Sequence, residues 1–145
     1  MGIETLYAST SASFNTAVGN QAMYYTTTGG DNVAIGAAAA QNIRAGQSNV
    51  AVGFQALITN QSGNYAVAVG RQALYTNTQN NNVAVGYQAA YSNAGGTIIA
   101  VGKAAGYQNS GGTSNVFIGQ DAAYYNQSGS NNIVIGFGAG QGGNL

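Results

Sequence analysis

Few residues in this 145-residue chain could carry out chemistry, and they do not share one repeated position. Histidine and cysteine are absent, so neither a familiar catalytic triad nor a transition-metal cluster can be built. The only carboxylates are Glu4, Asp31 and Asp121, which are too scattered to form an acid–base pair or a calcium-binding turn. The sequence therefore predicts a protein that is not an enzyme and that holds no cofactor or metal ion.

The chemistry that remains is ligand contact by aromatic and basic side chains. Four such residues follow repeated glycines directly, and they are Phe54, Arg71, Tyr87 and Lys103. Aromatic rings beside cations suit contact with a receptor or a glycan, so we interpret these four residues as a candidate ligand-contact stripe. The alternative interpretation is a solvated column in which any residue is tolerated.

Charge limits the partners of this chain. Three basic and three acidic residues give no net charge, and only 4% of the residues are charged, against about 25% in ordinary soluble domains. Nucleic acid and anionic membrane surfaces are therefore poor partners, whereas low charge favours association with other copies. No apolar run approaches the length of about eighteen residues that a membrane span needs, so membrane insertion is not expected.

A repeated unit must position all of these residues, and N-N-V-A-V-G-Y-Q-A-A at residues 81–90 exemplifies it. The unit recurs eight times, and its glycine, here called the anchor glycine, recurs at spacings of 17, 17, 17, 16, 16, 17 and 17 residues. Such a period is typical of solenoids. We predict an all-β chain, a parallel β-roll or β-solenoid of about eight 16–17-residue coils over residues 15–145, with residues 1–14 as a leader or cap. The anchor glycines are Gly19, Gly36, Gly53, Gly70, Gly86, Gly102, Gly119 and Gly136.

The residues before each anchor glycine alternate, which indicates a short strand with one buried face. β-Branched residues dominate the third and first positions before the glycine, and we predict that these sixteen positions form the core. Alanine dominates the position between them, and a ladder of small apolar residues on the outer face would allow close contact with another chain. This predicted trimer contact consists of Ala17, Ala34, Ala51, Ala68, Ala84 and Ala100.

Other columns of the repeat have their own expected roles. Tyrosines recur five residues after the anchor glycine and are expected to stack along one edge. Glycines recur at the tenth position, where we expect a positive φ, and asparagines that begin the strands could form a side-chain amide ladder. Each coil is expected to contain two short strands and two turns.

The copies N-V-A-V-G-Y-Q-A (residues 82–89), N-V-A-I-G (residues 32–36) and N-I-V-I-G (residues 132–136) resemble a known repeat. They are similar to the head repeats of YadA-like trimeric autotransporter adhesins and to related repeats of bacteriophage tail fibres. The resemblance covers residues 15–145 and implies a left-handed parallel β-roll in which three chains associate side by side. The repeats here are longer than the usual unit of the adhesin head, which favours the fibre of a phage or a virus-like particle, or an excised piece of a longer protein.

Together these features predict a structural fibre or adhesin segment of an extracellular or virion appendage, which mediates or supports attachment to a cell surface. Its expected partners are copies of itself, as a homotrimer or end to end, and a cell-surface glycan or receptor. The alternative is a pure spacer or a self-polymerising filament subunit without a ligand. Ice binding is a distant third function, because the threonines do not recur at one position of successive coils.

Overall fold

The computed structural model of the chain describes residues 2–143 and 145, and these residues form a solenoid with one parallel sheet. The sheet confirms the predicted all-β parallel solenoid, which completes about seven turns of about 17 residues from the first strand to the last. The eight strands, one in each coil, are β1 Thr16–Val18, β2 Val33–Ile35, β3 Val50–Val52, β4 Val67–Val69, β5 Val83–Val85, β6 Ile98–Val101, β7 Asn115–Ile118 and β8 Ile133–Ile135.

Each strand pairs with the next strand of the chain in a register that keeps every column of the repeat aligned. Ala34 lies beside Ala51, for example, and Val67 lies beside Val83. The pairs in the 17-residue and 16-residue repeats use the same columns, so the residue missing from the two shorter repeats is lost outside the strands. Residues at the same position of successive repeats therefore lie next to each other along the solenoid.

The segment that follows each anchor glycine is not the second strand that the sequence predicts. Its backbone places every second residue in the left-handed region, as at Gln72, with φ of 58°, and Leu74, with φ of 49°. The amide of Gln72 donates to the Phe54 carbonyl of the preceding coil at 2.9 Å, and the amide of Leu74 donates to the Ala89 carbonyl of the following coil at 3.0 Å. Hydrogen bonds to both neighbouring coils satisfy this backbone without a regular strand.

The alanine column of the strands faces the interior, so the predicted outer-face orientation is wrong. Five of its members have no exposed surface and belong to the hydrophobic core, while Ala17 is partly buried and packs against it. The chain itself encloses the five fully buried side chains, so they cannot supply a contact with another chain. This correction applies to the whole predicted trimer contact, namely Ala17, Ala34, Ala51, Ala68, Ala84 and Ala100.

The β-branched columns lie on the outside of the sheet, which corrects their prediction as the core. Their side chains are half-buried or exposed, and Ile35 and Val85 expose 43% and 38% of their surface. We call this surface the β-branched face. Its members are Thr16, Val33, Val50, Val67, Val83, Ile99, Val116 and Ile133 in one column, and Val18, Ile35, Val52, Val69, Val85, Val101, Ile118 and Ile135 in the other.

Side-chain volumes explain why alanine occupies the inner column. Leu57 and Leu74, four residues after their anchor glycines, are fully buried in the same core as Ala51 and Ala68. Where the inner column holds Phe117 instead of alanine, the preceding coil has Gly106 four residues after its anchor glycine, and a Cβ atom there would lie 2.7 Å from the Phe117 ring. Large residues on one side of the narrow interior therefore require small residues on the other.

Glycines in two columns allow neighbouring coils to approach each other. The anchor glycine Gly53 has φ of 132°, and a Cβ atom there would lie 2.6 Å from the Gly70 carbonyl oxygen. The glycines at the tenth position do not have the positive φ that the sequence predicts. They are required for space, because a Cβ atom at Gly46 would lie 2.6 Å from the Gly63 carbonyl oxygen.

Buried asparagines link the coils through their side-chain amides. The predicted ladder at the strand starts is present, with the Asn49 Nδ2 donating to Asn32 Oδ1 at 3.0 Å. A second ladder lies seven residues after the anchor glycines, where Asn109 Nδ2 donates to Asn93 Oδ1 at 2.9 Å. Paired buried amides stabilise the stack because an unpaired one would be costly.

Residues 2–14 follow the path of a coil and cover the first rung, as a cap would. Gly2 lies against Gly19, the Leu6 amide donates to the Ala22 carbonyl at 3.2 Å, and the rings of Tyr7 and Tyr24 stack. Tyr7 therefore occupies the tyrosine column, although the sequence analysis places this segment outside the repeat. Met1, the first residue of the predicted leader, lies outside the described residues.

Candidate functional site

The predicted ligand-contact stripe is an exposed row on four successive coils. Phe54, Arg71, Tyr87 and Lys103 directly follow their anchor glycines, and all four side chains are exposed, Phe54 to 45% and Tyr87 to 43%. Since neighbouring coils lie about 4.8 Å apart, the stripe extends over about 14 Å. The structure thus brings together the four residues that the sequence singles out.

Two neighbours in the stripe already contact each other. The guanidinium carbon of Arg71 lies 5.5 Å from the centre of the Phe54 ring, a cation–π distance. Such a contact at an exposed site contributes about 0.5–1 kcal/mol. It restricts the Arg71 side chain without neutralising its charge.

The cations of the stripe have no carboxylate partner among residues 2–143 and 145. Two of the three carboxylates accept hydrogen bonds from glutamines instead, Glu4 from Gln21 at 2.8 Å and Asp121 from Gln120 at 3.0 Å. Asp121 lies on the coil next to Lys103, and its backbone amide donates to the Lys103 carbonyl. The side chains of these two residues do not form an ion pair. Arg71 and Lys103 are therefore available to an external anion.

A stacked row of tyrosines lies beside the stripe, in the column where the sequence predicts stacking. The ring centres of Tyr75, Tyr91, Tyr107 and Tyr124 follow one another at 4.8, 5.0 and 4.8 Å, and adjacent rings are within 10° of parallel. We call these four residues the tyrosine ladder. Because each ring covers its neighbour, the ladder presents ring edges and hydroxyl groups, not ring faces, to the solvent.

The tyrosine ladder and the stripe interact electrostatically. Burial raises the pKa of Tyr91, and the neighbouring phenols of Tyr75, Tyr107 and Tyr87 raise it further. Tyr87 also raises the pKa of Tyr107, after the larger effects of burial and Tyr124. The Tyr87 phenol of the stripe is therefore within electrostatic reach of two phenols of the ladder. In the sequence, the two columns keep a constant offset of four residues, which was the available signal of their relation.

The raised pKa values predict that the folded chain loses stability in alkali. A phenol whose pKa is higher in the folded chain favours folding below the unfolded value of 10.0, and this contribution disappears as the pH rises through the folded pKa. We expect phenolate absorbance to appear at higher pH in the native chain than in the same chain in concentrated denaturant. Superimposable titration curves would contradict the buried, stacked environment of the ladder.

The β-branched face is the second candidate surface, and it adjoins the stripe along the sequence of every coil. Its outer column immediately precedes the anchor glycine, and the stripe immediately follows that glycine, as in Val69, Gly70 and Arg71. The face offers two rows of side chains that are apolar except for Thr16, and it carries no charge. Contiguous apolar surfaces of this kind mark sites of contact with other macromolecules.

The described residues form no site of another common kind. Within residues 2–143 and 145, no group of three acidic, histidine or cysteine residues could hold a metal ion. No helix in this part of the chain is long and apolar enough to cross a membrane. The described residues also enclose no pocket, so the exposed surfaces are the candidate functional sites.

Comparison with known proteins gave no family model, no curated protein and no solved structure that matches this chain. Functional inference therefore rests on the repeat, the solenoid and its two exposed surfaces.

Proposed function

We propose that this chain is a structural segment of an extracellular or virion fibre, which associates with two further copies and supports attachment to a cell surface. The observation that carries the proposal is the β-branched face, a regular apolar row along the whole outer side of the sheet. Covering apolar surface of this kind contributes about 25 cal/mol per Å². Association would therefore stabilise a chain that carries few charges to oppose it.

Another copy of the chain is the partner that matches this face best. Its Val and Ile side chains recur once per coil, and a second copy has the same interval between coils along its own face. Parallel copies can thus interdigitate their side chains over many coils without losing register. The proposed number of three chains and the left-handed winding come from the resemblance to the adhesin and tail-fibre repeats. The β-branched face by itself supports only self-association, without fixing the number of copies.

The attachment role draws on the stripe and the tyrosine ladder. They offer aromatic side chains, hydroxyl groups and two cations on the outside of the solenoid, whereas the described residues contain no metal cluster and no pocket. The alternative function is a spacer or a self-polymerising filament segment, in which length and stiffness matter and another protein binds the target.

A cell-binding assay separates these two functions. Fluorescently labelled native assembly, applied to cells or to a panel of immobilised surface polysaccharides, should show saturable binding that unlabelled assembly displaces. The double variant Arg71→Ala, Tyr87→Ala should bind more weakly while it retains the mass and circular dichroism of the native assembly. Absence of saturable binding to every surface tested would favour the spacer.

A further inference from the structure

The stripe and the tyrosine ladder place two unpaired cations within an aromatic and hydroxyl-rich surface. Arg71 and Lys103 are two coils apart, which corresponds to about 10 Å along the solenoid. Both side chains are exposed, and neither pairs with a carboxylate among the described residues. The third basic residue, Arg44, is exposed on a different column, so this is the surface on which two positive charges combine.

Tyr87 lies between the two cations in the stripe. It exposes 43% of its surface and stacks on no other aromatic ring among the described residues, in contrast to the rings of the ladder. The C–H side of a sugar ring packs well on such an aromatic face. The neighbouring hydroxyls of Tyr91 and Tyr107 can donate hydrogen bonds to sugar oxygens or accept them from sugar hydroxyls.

We infer that the surface formed by Arg71, Tyr87, Lys103 and the edge of the tyrosine ladder binds an anionic polysaccharide whose sugars carry carboxylates. A sugar ring packs on Tyr87, and carboxylates of sugars on either side pair with Arg71 and Lys103. The Arg71 guanidinium can accept a carboxylate in a two-pronged geometry. This inference names the ligand class of the attachment role proposed above and therefore rests on it.

Charge density distinguishes this ligand from nucleic acid. A DNA duplex presents one negative charge per about 1.7 Å of its axis, and affinity comes from many neutralised phosphates. This surface has two cations about 10 Å apart, on a chain without net charge. Sparse carboxylates on a chain of sugar rings fit that spacing, whereas a phosphate backbone would remain largely unneutralised.

Binding to polygalacturonate, a linear uronic-acid polymer, tests the inference directly. The native assembly should bind the polymer saturably, and binding should weaken as salt increases because the contacts are exposed charges. The double variant Arg71→Gln, Lys103→Gln should lose affinity by about ten-fold or more. The variant Tyr87→Ala should also bind more weakly, although it retains both cations.

Matched controls distinguish specific binding at this surface from non-specific attraction between opposite charges. Arg44→Gln removes one positive charge elsewhere and should leave binding unchanged, and uncharged dextran should not compete with polygalacturonate. Equal losses in Arg44→Gln, or stronger binding to a single-stranded oligonucleotide, would overturn the inference. If polygalacturonate does not bind while cells still do, the ligand class is wrong and the attachment role stands. If neither binds, both proposals fail.

Discussion

Glutamate in place of Ala68 should unfold the chain, whereas glutamate in place of its neighbour Val69 should leave the fold intact and prevent assembly. The Ala68 side chain has no exposed surface and lies in the hydrophobic core, so an unpaired carboxylate there costs several kcal/mol or more. That cost is comparable to the whole stability of a typical domain, about 5–15 kcal/mol. The Val69 side chain lies on the β-branched face, where glutamate remains hydrated in a single chain.

Circular dichroism and sedimentation velocity on the two variants separate these effects. Ala68→Glu should lose its β spectrum or accumulate as aggregate, and Val69→Glu should keep a native spectrum at the mass of one chain. Val69→Thr is the matched control, because it retains the β-branched shape without a charge. A folded, fully assembled Ala68→Glu protein would show that the alanine column is not enclosed as described.

Alanine in place of Gly86 should destabilise the solenoid by about 3 kcal/mol or more. Its φ of 138° disfavours any residue with a Cβ atom, at a cost on the order of 1–3 kcal/mol. The added Cβ would also lie 2.5 Å from the Gly102 carbonyl oxygen, so two coils would have to separate. Because the contact is with backbone, no side chain can move to relieve it.

Urea denaturation of Gly86→Ala and Gly142→Ala provides the comparison. Gly142 has no atom near the position of an added Cβ and does not have a positive φ, so its replacement should change the midpoint little. Equal midpoints for the two variants would mean that the anchor glycines do not hold the coils at this distance.

The repeat made the solenoid and its register predictable from the sequence. Once the anchor glycines were aligned, every strand, the asparagine ladder and the tyrosine stack fell at corresponding positions. Residues at the same position of successive repeats lie side by side because each coil has almost the same length. The period of the sequence therefore specifies the contacts between coils.

The orientation of the strands was not predictable from alternation alone. A period of two residues defines two faces but does not identify which is enclosed, and the larger apolar side chains were assigned to the core. The decisive residues lie on the other side of the coil, where Leu57 and Leu74 fill the interior and leave room only for Ala51 and Ala68. Between adjacent coils, Gly106 makes room for the larger Phe117 ring, and this pairing of a small and a large residue was the signal in the sequence that could have revealed the orientation.

The backbone after the anchor glycine was also beyond sequence reasoning. Leucine and glutamine rarely adopt a positive φ, yet Leu74 and Gln72 do so here. Hydrogen bonds to the adjacent coils hold this conformation, and those contacts exist only in the stacked chain. For the candidate site, the residues of the stripe follow from the sequence pattern, whereas the effect of the Tyr87 phenol on the tyrosine ladder depends on the folded backbone between the two columns.

The mass of the native chain in solution tests the central proposal, that the β-branched face is covered by other copies. Sedimentation equilibrium over a range of concentrations should give three times the mass of one chain, and Val69→Glu should reduce it to that of a single folded chain. A native chain that remains a folded monomer at all concentrations would contradict the proposal.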